Sequence, residues 1–112
     1  MYTKSMDLTQ KKCVACEGDM PPLNKTEAEM LLKQIPGWQV SDDAKVLSRQ
    51  YKFKNFAQAL AFTNKIGATA EAEGHHPDLE LGWGYVRIAL TTHAIKGLSE
   101  NDFIVAAKVN AL

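Results

Sequence analysis

Apolar residues fall into two rhythms along the chain, and the switches between them divide it into elements. Phe56, Leu60, Thr63, Ile66 and Ala70 recur at helical spacing, which predicts a helix of about five turns running to Glu73. Asn55 and Gln58 form a capping box at its start, and Gly74 suits the left-handed stop at its end. Pro77 then disfavours helix at His76 and turns the chain to extended backbone. Residues 79–83 and 85–91 read as a strand pair joined through Gly82 and Gly84. In the second strand Val86, Ile88 and Leu90 share one parity and Arg87 and Thr91 the other, so the count places His93 on the Arg87 side, away from the core face of its own strand.

The same reading extends to both ends. Asn24 or Thr26 can cap a first helix, with Glu27 or Glu29 three residues on, and Leu31 and Ile35 lie on one side before Pro36-Gly37 stops it. Residues 38–40, a turn at Asp42-Asp43 and a stretch over 46–54 predict a hairpin in which Leu47, Tyr51 and Phe53 form one apolar face. Ser99 and Asp102 make a capping box before Phe103, Ile104, Ala107 and Val109, the apolar stripe of a last helix. The order α-β-β-α-β-β-α predicts an α+β domain: a four-stranded antiparallel sheet with three helices packed on one face.

At 112 residues the chain fits one domain, able to bury roughly 60–70% of the surface its unfolded form exposes. Hydrophobic residues make up 46% and charged residues 23%, as in an ordinary globular domain, and no apolar run reaches the roughly 18 residues that span a bilayer. The start lacks the apolar stretch of a secretory signal, so a cytoplasmic location and no membrane partner are expected. Thirteen basic and thirteen acidic residues cancel without a basic stripe, so nucleic acid is not an expected partner. Residues 1–22 read as a flexible leader and 23–112 as the domain. Cys13 and Cys16 form a lone C-x-x-C in that leader, which meets neither the four-ligand need of a structural zinc site nor the strand-to-helix context of a redox pair, and reads as two reduced thiols.

All three histidines, His75, His76 and His93, lie between Glu71 and His93 at two element ends. Imidazole is the side chain that gives and takes protons near neutrality, so the clustering points to acid–base chemistry. A shared metal is the rival account. Adjacent side chains of an extended segment point to opposite faces, so His75 and His76 are not expected to chelate one ion, and no metal is assigned.

Glu71, Gly74-His75-His76-Pro77, Trp83, Val86, Ile88, Leu90, Thr92-His93, Lys96-Gly97-Leu98-Ser99 and Asp102-Phe103 together resemble the pterin-4a-carbinolamine dehydratase family. Upstream, Pro36-Gly37-Trp38, the run from Tyr51 to Phe56 and Ala61-Phe62 extend the resemblance over about residues 23–110, and the Cys-containing leader resembles the bacterial branch that works beside phenylalanine hydroxylase. The resemblance implies dehydration of 4a-hydroxytetrahydropterin to quinonoid dihydropterin, recycling a tetrahydrobiopterin-type cofactor for aromatic amino acid hydroxylation without a cofactor of its own. It implies His75, His76 and His93 as the acid–base set, with Glu71, Gly74, Pro77, Thr91, Thr92 and Asp102 orienting them or holding the pterin. Asn101 stands where some members carry an arginine, so no guanidinium contact to substrate is expected.

Plainer accounts stand beside these. Asp102 is also explained as the helix-start partner of Ser99, Glu71 as a solvated carboxylate, and Trp83 and Tyr85 as packing or interface residues. The rival from another class is a non-catalytic interaction or dimerisation module, or a regulator of a hydroxylase or transcription factor, as in the family's role as dimerisation cofactor of a homeodomain protein. Two open sheet edges lead to the expectation of a homo-oligomer, dimer or tetramer.

Overall fold

The computed structural model describes residues 7–14, 18 and 20–112. Three helices, α1 (Lys25–Leu32), α2 (Phe56–Glu73) and α3 (Glu100–Asn110), alternate with strand pairs β1 (Gln39–Val40), β2 (Leu47–Lys52), β3 (Asp78–Gly82) and β4 (Tyr85–Leu90). The sheet is antiparallel in the order β1-β2-β4-β3, so β4 is central and the α+β order expected from the sequence is the observed one.

The β4 register puts Leu90 opposite Leu47, Ile88 opposite Leu79 and Val86 opposite both Tyr51 and Leu81. These residues share one pleat face and carry the core with Ile66 of α2 and Phe103, Ile104 and Val105 of α3. The other face, with Ser48, Gln50, Glu80 and Arg87, is polar and bears none of the described helices, which is the alternation of a half-covered antiparallel sheet.

The burial of the helices differs in detail from what spacing suggests. The helical spacing of Phe56, Leu60, Thr63, Ile66 and Ala70 marks α2 correctly, but it does not mark one buried face, since Phe56 and Leu60 are 44% and 40% exposed. The buried stripe runs instead through Ala59, Ile66 and Ala70; Leu60 lies about 100° round the helix from Ala59, and Phe62 fills the sheet-facing space by packing on Tyr51 and Phe53. The apolar side of α3 is not a stripe, since Asn101 through Ala107 and Val109 are all buried. A helix apolar on several sides is one enclosed on several sides: α3 packs against α2 and against the short 3-10 turn Leu8–Gln10, whose Leu8 is fully buried.

The segment before Pro22 is therefore docked where it is described. Cys13 N–H donates to Glu73 Oε1 at 2.9 Å, and Lys108 of α3 pairs with Glu73 Oε2 at 2.5 Å. Burial first, then the Glu73 carboxylate, pushes the Cys13 thiol up to about 12, so it is a protonated, packed thiol at neutral pH. Cys16 lies outside the described residues.

The Lys108 ammonium, then the Cys13 N–H, hold the Glu73 carboxyl below its ordinary value. A depressed carboxylate adds stability that is fully present above its unfolded value and is lost as pH falls through its folded one. Glu73→Gln keeps an acceptor for Cys13 but loses the charge facing Lys108. It is expected to cost about 1–3 kcal/mol at pH 7. In urea melts the gap between wild type and variant should close as pH is lowered below 4.5, the ordinary carboxyl value; a gap independent of pH would show that the ion pair contributes nothing.

At the far end of α3, Asn110 Oδ1 accepts from Trp38 Nε1 at 2.8 Å, Arg49 Nη1 at 2.8 Å and Tyr51 Oη at 2.9 Å. Its Nδ2 donates to Pro36 O at 3.1 Å. One side chain thus joins the α1–β1 connection and β2 to the last helix.

Candidate active site

Three chain junctions converge beside β4. The first is the end of α2, where Gly74 adopts φ +66° and the N–H groups of Gly74 and His75 bond back to Glu71 O and Ala70 O, a Schellman closure. This stop turns His75 and His76 out of the helix axis. The second is the loop after β4: Thr92 and Gly97 bridge across a 3-10 turn His93–Ile95 that closes with Lys96 at φ +56°. β4 ends at Leu90, so the strand count used for His93 does not reach it; His93 is exposed because it opens the 3-10 turn. The third is the first turn of α3, where the Ser99 N–H donates to Asp102 Oδ2 at 3.0 Å.

Asp102 joins the three. It is fully buried, accepts from the Thr92 hydroxyl at 2.8 Å through the oxygen that caps Ser99, and faces His75 Nε2 with the other oxygen at 2.6 Å. Thr92 and Ser99 hydroxyls also touch at 2.8 Å. An ionised carboxylate can only accept, so opposite one the neutral His75 ring presents Nε2–H and has its lone pair on Nδ1. Asp102 thus caps α3 with one oxygen and contacts His75 with the other. The sequence offered these two roles as alternatives.

His76 turns the other way. Its Nε2 lies 2.7 Å from Glu71 Oε1, on side chains 60% and 82% exposed, whereas the His75 side chain is 13% exposed. The adjacent histidines thus face different carboxylates, one inside and one at the surface.

Together Gly74, His75, His76, Thr91, Thr92 and His93 line a cavity of about 320 Å³ with Val14, Ala94 and Asn101. That volume is at the small end of ligand sites, which run roughly 300–1,000 Å³. Glu71 reaches it through His76 and Asp102 lies behind His75, while Pro77 is not among the lining residues and serves the turn into β3. Thr91 gives its hydroxyl proton to Lys45 O at 2.6 Å, which ties the site to the β1–β2 connection. A larger concavity of about 750 Å³ on the polar sheet face, lined by Gln39, Ser48, Gln50, Glu80 and Arg87 among others, holds no histidine. The chemistry favours the smaller one, because all three imidazoles, the side chains suited to proton transfer near neutral pH, meet there.

Val14 and Asn101 were not anticipated as site residues. They are 87 positions apart, and no local pattern signals such a contact.

Comparison with known proteins places the chain in a family. The family model described as pterin 4 alpha carbinolamine dehydratase matches residues 21–112. A Halorhodospira halophila protein provisionally named as that dehydratase is 50% identical over 107 residues, 96% of this chain and 98% of its own. One from Methylococcus capsulatus, named in the same provisional way, is 53% identical over 105 residues, 94% of this chain and 92% of its own. Among solved structures, a transcriptional coactivator/pterin dehydratase from Brucella melitensis superposes with a TM-score of 0.75 at 33% identity, covering 80% of this chain and 96% of that one. A pterin dehydratase-like protein identified as a RuBisCO assembly factor in the alpha-carboxysome gives 0.58 at 30% identity, covering 67% and 87%. With the family's model spanning the whole domain and close relatives matching over nearly their full length, this chain belongs to the pterin-4a-carbinolamine dehydratase family.

Proposed function

We propose that this protein dehydrates 4a-hydroxytetrahydropterin, with His75, His76 and His93 as the proton-transfer groups. The observation that carries the reading is the meeting of all three histidines at one cavity, two of them with a carboxylate on Nε2. In the reaction the C4a–O bond breaks, an imidazolium supplies the proton with which the hydroxyl leaves as water, and a neutral imidazole takes the N5 proton as the C4a=N5 bond forms. Nothing is oxidised or reduced, and no proton is gained or lost overall. Asp102 and Glu71 fix ring orientation and tautomer, as a carboxylate beside a catalytic imidazole does. Gly74, Thr91 and Thr92 shape the cavity around the heterocycle, and Pro77 holds the extended exit that separates His75 from His76.

The product is the quinonoid dihydropterin that returns to the tetrahydropterin pool of an aromatic amino acid hydroxylase, with phenylalanine hydroxylase as the supplier of substrate in the cytoplasm. The open strands β1 and β3 suit a homo-oligomer, since an unpaired sheet edge is commonly buried between copies.

The test is stopped-flow absorbance of 4a-hydroxytetrahydropterin generated in situ by phenylalanine hydroxylase. Wild type is expected to accelerate its decay, and His75→Ala/His76→Ala to lose on the order of 10²-fold or more of that acceleration. Folded wild type that leaves the spontaneous rate unchanged would refute the proposal. That result would favour a protein-binding module, to which the exposed Trp83, Phe56 and Leu60 are suited.

A further inference from the structure

We infer that Asn101 is a positioning residue that holds residues 11–14 in place as a wall of the histidine cavity, so that substrate affinity depends on the segment before the domain. This rests on the functional reading above and deepens it. Asn101 is 5% exposed, and its amide makes a reciprocal pair with the backbone of Val14: Val14 N–H donates to Oδ1 at 3.1 Å, and Nδ2 donates to Val14 O at 2.6 Å. A side-chain amide here does what a neighbouring strand would do, taking up both polar groups of one residue.

Two further ties fix the direction of the segment. Lys11 Nζ lies 2.7 Å from Glu100 Oε2, and the Cys13 N–H is held by Glu73. Leu8 is buried, in a turn that packs against α3, and Leu23 N–H bonds to Leu98 O at 2.8 Å.

The consequence is a division of labour between adjacent residues in the first turn of α3. Asp102 turns to His75, and Asn101 turns to Val14. Because the Val14 backbone is spent on Asn101, what it presents to the cavity is its side chain, 67% exposed although apolar. A flat heterocycle bound among the three histidines covers that surface. Removing the clamp therefore removes a binding contact and leaves the proton-transfer groups where they are.

The experiment compares wild type, Asn101→Leu and Val14→Gly in the full chain. Asn101→Leu removes both bonds to Val14 while keeping the same number and branching of side-chain heavy atoms. It is expected to raise KM about tenfold, the equivalent of one good contact, with kcat within about twofold. Amide hydrogen exchange at Cys13 and Val14 should quicken at least about tenfold, the sign of a lost local closure. Val14→Gly, at an exposed position, is expected to raise KM about threefold, and it carries the test if Asn101→Leu does not fold. An unchanged KM in a folded variant whose Val14 amide has been released would overturn the inference, as would a fall in kcat at constant KM, which would mean that Asn101 acts through Asp102. Equilibrium binding of 7,8-dihydrobiopterin separates this from the dehydratase reading, because it needs no turnover. Weaker binding by the variants supports the wall even if wild type proves inactive; equal binding, or none by wild type, overturns it.

Discussion

Asp102→Asn is expected to lower kcat/KM by on the order of 10²–10⁴ while costing little stability. The carboxamide keeps one oxygen, and the Ser99 N–H and Thr92 hydroxyl both need that oxygen as acceptor. Its NH2 group is then left facing His75 Nε2 at the position of the present 2.6 Å contact. A donor there forces the imidazole to carry its proton on Nδ1, so the lone pair available for proton transfer disappears from the nitrogen not engaged by residue 102. Loss of a correctly oriented acid–base group is worth roughly 10²–10⁴ in rate. Asp102→Ala should lose the same chemistry and about 1–2 kcal/mol in addition, because the helix start is also stripped. Stopped-flow rates and thermal melts on the same samples check both parts. An Asn variant within about twofold of wild type would remove His75–Asp102 from the mechanism.

The second large effect concerns stability alone. Asn110→Ala should destabilise the domain by about 2–4 kcal/mol, because it removes the acceptor of three donors at once, the Trp38 indole, the Tyr51 hydroxyl and the Arg49 guanidinium, of which only Arg49 keeps another partner among the described residues, Pro36 O. Trp38 is 5% exposed, so its N–H finds no water in exchange. A loss of that size lowers Tm by roughly 10 °C or more in a domain near this length. The dehydration rate per folded molecule should not change, since Asn110 lies about 12 Å along α3 from Asp102, eight residues at roughly 1.5 Å each. A Tm within about 2 °C of wild type would show that these donors are satisfied some other way.

Local signals were legible in the sequence. Asn55 and Gly74 bound α2 as their types demand, the Val86, Ile88 and Leu90 parity identifies the core face of β4, and Ser99 with Asp102 marks the start of α3. Each is a contact within about four residues or one pleat period, which is why it can be read without the fold. The placement of three histidines at element ends was legible for the same reason. Contacts that join distant segments were not. The pairing of β2 with β4, the burial of Leu8, the Val14–Asn101 pair and the four bonds of Asn110 depend on which surfaces meet, and polar side chains carry no label for a partner some 60 to 90 positions away. Phe56 and Leu60 show the complementary failure. They have helical spacing and apolar character, but the helix is turned so that Ala59, Phe62, Ile66 and Ala70 face the core instead.

The double duty of Asp102 bears on how members of such a family are to be told apart. A descendant that abandoned chemistry and kept only a docking role would be free to replace His76 or His93, yet its last helix would still require an acceptor at position 102 to begin. The acid at this place is therefore a poor witness of activity, since folding alone can preserve it. The exposed imidazoles of His76 and His93 are the more informative ones, since His75 is itself packed against the buried Asp102 carboxylate and folding alone can also favour its retention.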